Sequence, residues 1–291
     1  MPARGLSLIG FCDQHEALSF LRTFAVSRDA SEGALLAEWA AAKAKIGAST
    51  PRAGLPDVRS VDSPCDAYIR KLWEQRWVRA TLDQPEYQNA EFKLIEIEPL
   101  LAHQPFVNTE RPDQIYGSAP ALSLTDLMPI CLPLTQPQPL GSPTQVVKDS
   151  HSIVIKGRDL EMNRITAATL SVRREEIEQN FIGVQISWNL PFVHVVRFNG
   201  RHYLYNGYHR ALGAAARGAT HIPCLLREWL TSEQGEPSWL MMPRRVLESS
   251  KPPTLGHFLR GCAYPVLLRA MSRIVSVSWS ERLMPDEYEG L

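Results

Sequence analysis

Asn206, Gly207, Tyr208, His209 and Arg210 stand where one kind of sequence gives way to another. Before them, Tyr203 to Tyr205 is a strand-like run. After them, an Ala- and Leu-rich, helix-favouring run stops at Gly218, and Ile222 to Leu226 again reads as a strand. A glycine, a histidine and an arginine at the start of a helix are the parts of an anion cradle. The first N–H groups of a helix lack an intrahelical acceptor, and the helix dipole adds partial positive charge there. A glycine lets a phosphate approach the backbone closely. Arg210 can grip two oxygens with its fork, and His209 can donate a further hydrogen bond or carry a proton. So short a pattern serves equally well as a tight turn with a surface His and Arg.

Other residues can contribute to such a site. Glu96 and Glu98 alternate along a strand-like segment, which puts both on one face about 7 Å apart, where one can act as general base or metal ligand. Exposure to solvent is the plainer reading of that pair. His103 and Gln104 follow the same strand and are candidate nucleotide contacts. Arg173, Arg174, Glu175 and Glu176 form a charge run best read as a solvated helix face. His194, His202 and His221 are scattered, and no spacing marks a dedicated metal site.

The elements that position these residues follow from periodicity. The segment "DQHEALSFLRTFAV" predicts a helix capped by Asp13, and "SEGALLAEWAAAKAKIG" predicts one running from Ser31 to Gly47. A Pro/Gly/Ser-rich loop separates them from "CDAYIRKLWEQRWVRATL", where Ile69, Leu72, Trp73 and Trp77 form one stripe suited to core packing. Strands are expected within 91–107, where Phe92, Leu94, Ile95 and Ile97 form one that Pro99 ends, in "SIVIKG", and on both sides of an Asn199-Gly200 hairpin turn. "SVRREEIEQNF" is expected to be a short helix. "RIVSVSWSE" reads as a half-buried strand, expected at an edge of the main sheet. These elements make an α+β chain. It comprises a helical N-terminal extension (1–90), a core with a mixed sheet (91–228, with an insertion at about 108–190), and a C-terminal tail (229–291).

Composition bounds the partners. The 291 residues are 44% hydrophobic, enough for a sizeable core, and Lys+Arg equals Asp+Glu at 31 each. No global field therefore favours nucleic acid or an anionic membrane. Five scattered cysteines without a C-x-x-C pair suggest reduced thiols, and with no long apolar run the chain is expected to be cytoplasmic. Cys224, inside "IPCLL", is expected to be buried and inert.

The strand, N-G-Y-H-R turn, Ala-rich helix, Gly218 and Ile-Pro strand together resemble the ParB and sulfiredoxin-like superfamily. "LIEIEPLLAHQPFV" is similar to that superfamily's first box, a strand before a Gln-Pro pair, here Gln104-Pro105. The likeness spans residues 91 to 228 with a large insertion between the boxes, and reaches neither end of the chain. It implies an α+β nucleotide- or phosphate-binding fold with Gly207, His209 and Arg210 at the phosphates. Tyr208 stands where sulfiredoxins carry their catalytic cysteine, so sulfinic-acid reduction is not expected. Partition proteins of the superfamily have Glu-Arg-Arg at the turn and a helix-turn-helix afterwards, and neither is legible here. The turn is most similar to that of the free-serine kinases, Asp-Gly-His-His-Arg, with Asn206 for the Asp and Tyr208 for the first His.

Three functions follow from that resemblance and the residues. The favoured one is a nucleotide-binding protein that contacts ATP or another nucleotide, with or without Mg²⁺, through Asn206, Gly207, Tyr208, His209, Arg210 and Gln104. As an enzyme it would be a nucleotide-dependent phosphotransferase or nucleotide hydrolase using His209, Glu96 and Glu98. The second is a DNA-binding or nuclease protein holding a backbone phosphate in the same cradle, flanked by Arg197, Arg201, Arg217 and Arg227. The third is a non-catalytic scaffold that meets a protein partner through its N-terminal helices or C-terminal tail.

Overall fold

The computed structural model describes residues 2–47, 54–61, 63–118, 121–135, 145–148, 152–157, 162–174, 177–188, 191–231, 237, 239–269 and 273–278. Between 145 and 188, and over 273–278, the backbone alone is described. The chain divides into a larger unit, 1–136 with 191–269, and a smaller one, 137–190 with 270–291. Both boundaries differ from those expected: the insertion begins later than 108, and the tail is shared between the two units.

Strand β1 (Ala3–Ser7) opens the larger unit. Helix α1 (Gln14–Phe24) starts where its ends can be satisfied: Asp13 accepts from the Glu16 N–H at 2.9 Å, and Glu16 accepts from the Asp13 N–H at 3.1 Å. The expected Asp13 cap is thus a full capping box. Helix α2 (Glu32–Gly47) buries Leu35 and Ala42. Inside the predicted loop that follows lies a short strand, β2 (Val58–Ser60). The aromatic stripe is divided between α3 (Ser63–Glu74) and α4 (Arg76–Leu82), because Gln75 turns extended with ψ 121°. Part of it packs as expected, while Trp73 stays 43% exposed with its ring edge-on to Phe92 at 5.7 Å. Leu72 is fully buried, and Trp77 stacks on Phe192 at 5.4 Å while donating to the Leu134 carbonyl at 3.1 Å.

Next come β3 (Glu91–Glu96), β4 (Phe106–Asn108), α5 (Arg111–Tyr116) and α6 (Leu124–Cys131). The smaller unit then contributes β5 (Gln145–Lys148), β6 (Ser152–Gly157), β7 (Met162–Arg174) and β8 (Ile177–Trp188). The larger unit resumes with β9 (His194–Phe198), β10 (Arg201–Asn206), α7 (Tyr208–Ala215) and β11 (His221–Glu228). It ends with α8 (Arg244–Leu247), α9 (Leu255–Leu259) and β12 (Tyr264–Leu268). A last strand, β13 (Arg273–Ser278), falls in the smaller unit.

The main sheet has five strands in the order β10-β9-β11-β3-β2. β9 and β11 are parallel and the other pairs antiparallel, so the sheet is mixed and the fold is α+β. Ile95 on β3 and Leu204 on β10 share it, as the two-box pattern predicted. Asn199 (φ 50°) and Gly200 (φ 72°) make the left-handed reversal between β9 and β10. One face of the sheet, carrying Val196, Phe198 and Tyr203, packs on Leu18 and Leu21 of α1 and Leu35 of α2. A second, antiparallel sheet sets β1 between β12 and β4. The first ninety residues are mostly helical, as expected, but are also woven into both sheets. They give β1 to one sheet and β2 to the other, and residues 229–269 return β12 beside β1.

Two expectations about the smaller unit are corrected. Within "SVRREEIEQNF", residues 171–174 and 177–181 lie in antiparallel strands, with Ser171 opposite Asn180 and Arg173 opposite Glu178. Opposite charges across a ladder favour strands, and a charge run on its own carries no helical period. β13 is not an edge of the main sheet: it pairs with β6 in a separate three-stranded sheet, β13-β6-β5. A half-buried alternation shows that a strand needs a partner, not which partner it finds. Trp279 and the central charges Glu175 and Glu176 fall outside the described residues.

Candidate functional site

The turn between β10 and α7 is built around Gly207. Its φ of 103° lies in the left-handed region, and a Cβ there would meet Val193 Cγ2 at 2.9 Å and Val193 Cα at 3.2 Å. Glycine is thus required both by backbone conformation and by the close approach of the β9 lead-in. α7 begins directly behind it, with no side-chain cap and no acidic residue in its first turn. A helix start of this kind offers N–H groups and partial positive charge to an anion.

His209 sits at that start, half-buried, and its buried Nε2 has no hydrogen-bond partner among the described residues. Burial holds its pKa down at about 4, with help from the Arg111 and Arg210 charges. At neutral pH the imidazole is therefore uncharged, and its Nε2 gives or takes one hydrogen bond according to tautomer. Arg111 is a residue that pattern reasoning missed. It belongs to neither of the two sequence segments, and its charge acts on His209 because α5 packs on α7.

Arg210 does not extend its fork from the helix start. Its guanidinium donates to the backbone carbonyls of Pro191 and, at 3.1 Å, Phe192, with a marginal contact to Ile130 at 3.5 Å. Tyr116 in turn donates to the Arg210 carbonyl at 2.7 Å. The arginine expected to bind phosphate is thus used to join the start of α7 to the segment leading into β9. Guanidinium planarity suits two adjacent carbonyls as well as two phosphate oxygens.

Tyr208 is likewise redirected. It is only 3% exposed, and its phenol oxygen accepts from the Gln104 N–H at 3.1 Å while the ring meets His103 edge-on at 5.9 Å. Tyr208 thereby ties the turn to the segment after β3 by a buried tether. The Gln104 amide is engaged locally, donating to the Phe106 carbonyl at 2.7 Å. Asn206 pairs with His194 at the end of β10. His103 is buried, neither ring nitrogen closes a well-formed hydrogen bond, and burial lowers its pKa to about 4.

The structure does not bring Glu96 and Glu98 to the turn. Asn206 lies opposite His194, His194 beside Leu225, and Leu225 opposite Phe92. Glu96 is four residues beyond Phe92, about 13 Å further along the strand. Its carboxylate accepts from the Asp57 N–H at 3.1 Å, and that of Glu98 pairs with Arg260 at 2.6 Å. β3 ends at Glu96 and the chain turns at Ile97, so the assumed alternation stops between the two glutamates.

The four arginines named for a basic face are all engaged within the protein. Arg197 pairs with Glu228, Arg201 donates to the carbonyls of Leu247, Glu248 and Ser249, and Arg217 reaches Asp113 and the Gly117 carbonyl. Arg227 is buried: its Nε donates to His194 Nε2 at 3.0 Å, and its guanidinium lies over Trp229 at 4.9 Å and Tyr87 at 5.4 Å. His194 accepts at Nε2, so its hydrogen is on Nδ1, and burial with the adjacent cation holds its pKa well below the usual value. Cys224 is fully buried and its thiol pKa raised by burial, as expected of an inert cysteine. Among the described residues, no group of three His, Cys, Asp or Glu side chains is placed to hold a metal ion, and no helix is long and apolar enough to cross a membrane. Compared with family models, curated proteins and solved structures, the chain matches none, so its functional reading rests on this geometry.

Proposed function

We propose that the protein binds a small anion, most simply the phosphates of a nucleotide, at the N-terminus of α7, in the manner of the ParB and sulfiredoxin-like superfamily. One observation carries this reading. An uncapped helix start follows a left-handed glycine, next to a histidine nitrogen without a partner and close to two arginine charges. Backbone N–H groups would supply the main contacts, His209 one more hydrogen bond, and Arg111 and Arg210 long-range attraction. Binding, not turnover, is what the geometry supports. No carboxylate of the expected pair is near the turn, and neutral His209 is the single proton-carrying group assigned there.

A panel of ATP, ADP, CTP and GTP, each with and without Mg²⁺, tests the reading by thermal shift. A ligand at about 100 times its Kd stabilises the fold by roughly 2.7 kcal/mol. At least one nucleotide should raise the melting temperature, and both His209→Ala and Arg111→Glu should weaken its binding. A short DNA duplex included in the same panel separates the DNA-binding reading. If no nucleotide shifts the parent, or if both variants respond as the parent does, α7 holds no phosphate and the scaffold reading stands.

A further inference from the structure

A cleft of about 510 Å³ opens in the larger unit, away from the turn, and none of Asn206 to Arg210 lines it. It runs between the end of α2, residues 54–56, the turn after β3, the start of β10 and the segment 249–257. That volume falls within the range of small-molecule sites. Phe11, Ile46, Leu55, Pro56, Pro99 and Leu101 supply apolar walls.

The polar part of the lining has one sign. Arg201 and Lys251 are its charged members, and among the described residues no carboxylate lines the cleft. Arg201 is fixed in place by donating to the Leu247 carbonyl at 2.7 Å and the Glu248 carbonyl at 3.1 Å. The Glu248 carboxylate on that segment is already held by Arg244 at 2.6 Å. Lys251 is exposed. Two histidines complete the wall. His257 Nδ1 accepts from the Thr254 N–H at 3.0 Å, so its hydrogen is on Nε2, and His202 has a buried Nδ1 with no partner among the described residues. Apolar walls, neutral imidazoles and two cations together complement a molecule that is greasy along its length and negative at one end.

We propose that this cleft binds a small molecule with an apolar body and a single carboxylate. The site is independent of the anion site at α7 and stands or falls without it.

Decanoate and its neutral counterpart decanol test the proposal on the full chain, read by displacement of 1-anilinonaphthalene-8-sulfonate fluorescence. Decanoate should displace the dye saturably, and decanol should do so at least tenfold more weakly. Leu55→Glu and Lys251→Glu alter exposed positions, so both should fold with the parent's melting temperature; each should weaken decanoate at least tenfold. His202→Phe should weaken it too. Absence of saturable decanoate binding overturns the proposal. So does equal binding by Leu55→Glu, which would place the ligand elsewhere, or equal binding of decanol, which would remove the anionic recognition.

Discussion

Replacing Arg210 with alanine should destabilise the larger unit rather than merely remove a ligand contact. The guanidinium satisfies the carbonyls of Pro191 and Phe192, the second at 3.1 Å, where Phe192 itself is fully buried. The adjacent backbone joins α6 to β9, since the Val193 N–H donates to the Cys131 carbonyl at 2.8 Å. A hydrogen bond from a charged donor contributes about 1.5–3 kcal/mol, and a buried carbonyl left unsatisfied costs a similar amount. Two good bonds give about 3–6 kcal/mol, and partial exposure of the arginine favours the lower half. The contact to Ile130 at 3.5 Å adds little. For a domain of this size each kcal/mol moves the melting temperature by about 2–4 °C, so the loss should be on the order of 10 °C. Arg210→Lys keeps the charge but presents it at one atom, which cannot span both carbonyls, and should fall between parent and alanine. Scanning calorimetry of the three proteins reads the effect. If both variants melt within about 2 °C of the parent, the clasp is not structural, and Arg210 must again be weighed as a ligand residue.

Gly207→Ala should cost about 1–3 kcal/mol, since alanine must take a left-handed backbone with its Cβ against Val193; a urea midpoint equal to the parent's would contradict the turn geometry. Burial depresses the folded pKa of His103, His209 and His257 to about 4, against 6.5 for the unfolded chain. Their contribution is fully present above about pH 6.5 and is lost as pH falls towards 4, because only the unfolded state takes up protons in that window. His103 alone should withdraw about 2 kcal/mol between pH 7.5 and pH 5, so an unchanged urea midpoint over that interval would refute its burial. Cys224, with the other four cysteines also buried, should resist a thiol reagent until the protein unfolds; rapid labelling of Cys224 in the native protein would show that β11 is not central.

Local chemistry made much of this protein legible from its residues. Asp13 with Glu16 marks a helix start, Asn199-Gly200 a hairpin, and Gly207 a left-handed turn before a helix, because each depends on conformational preferences carried by a few adjacent residues. One sheet was expected to take 91–107 and 192–228; it takes 91–96 with 194–228, while Phe106–Asn108 pair with β1 in the second sheet instead. Which partner each polar group finds was decided by the tertiary structure. Arg210 carries the same fork whether it meets phosphate or the Pro191 and Phe192 carbonyls, and only the return of the chain beside α6 supplies those carbonyls. Glu96 and Glu98 look like a pair until β3 ends between them and Asp57 and Arg260 claim one each. The Arg111 charge acts on His209 through helix packing, and Arg227 reaches His194 through strand register. Backbone preference acts over a few residues and can be read along the chain. A charged side chain is satisfied by whatever folding brings within about 3 Å, and that distance is set by contacts between segments far apart in sequence.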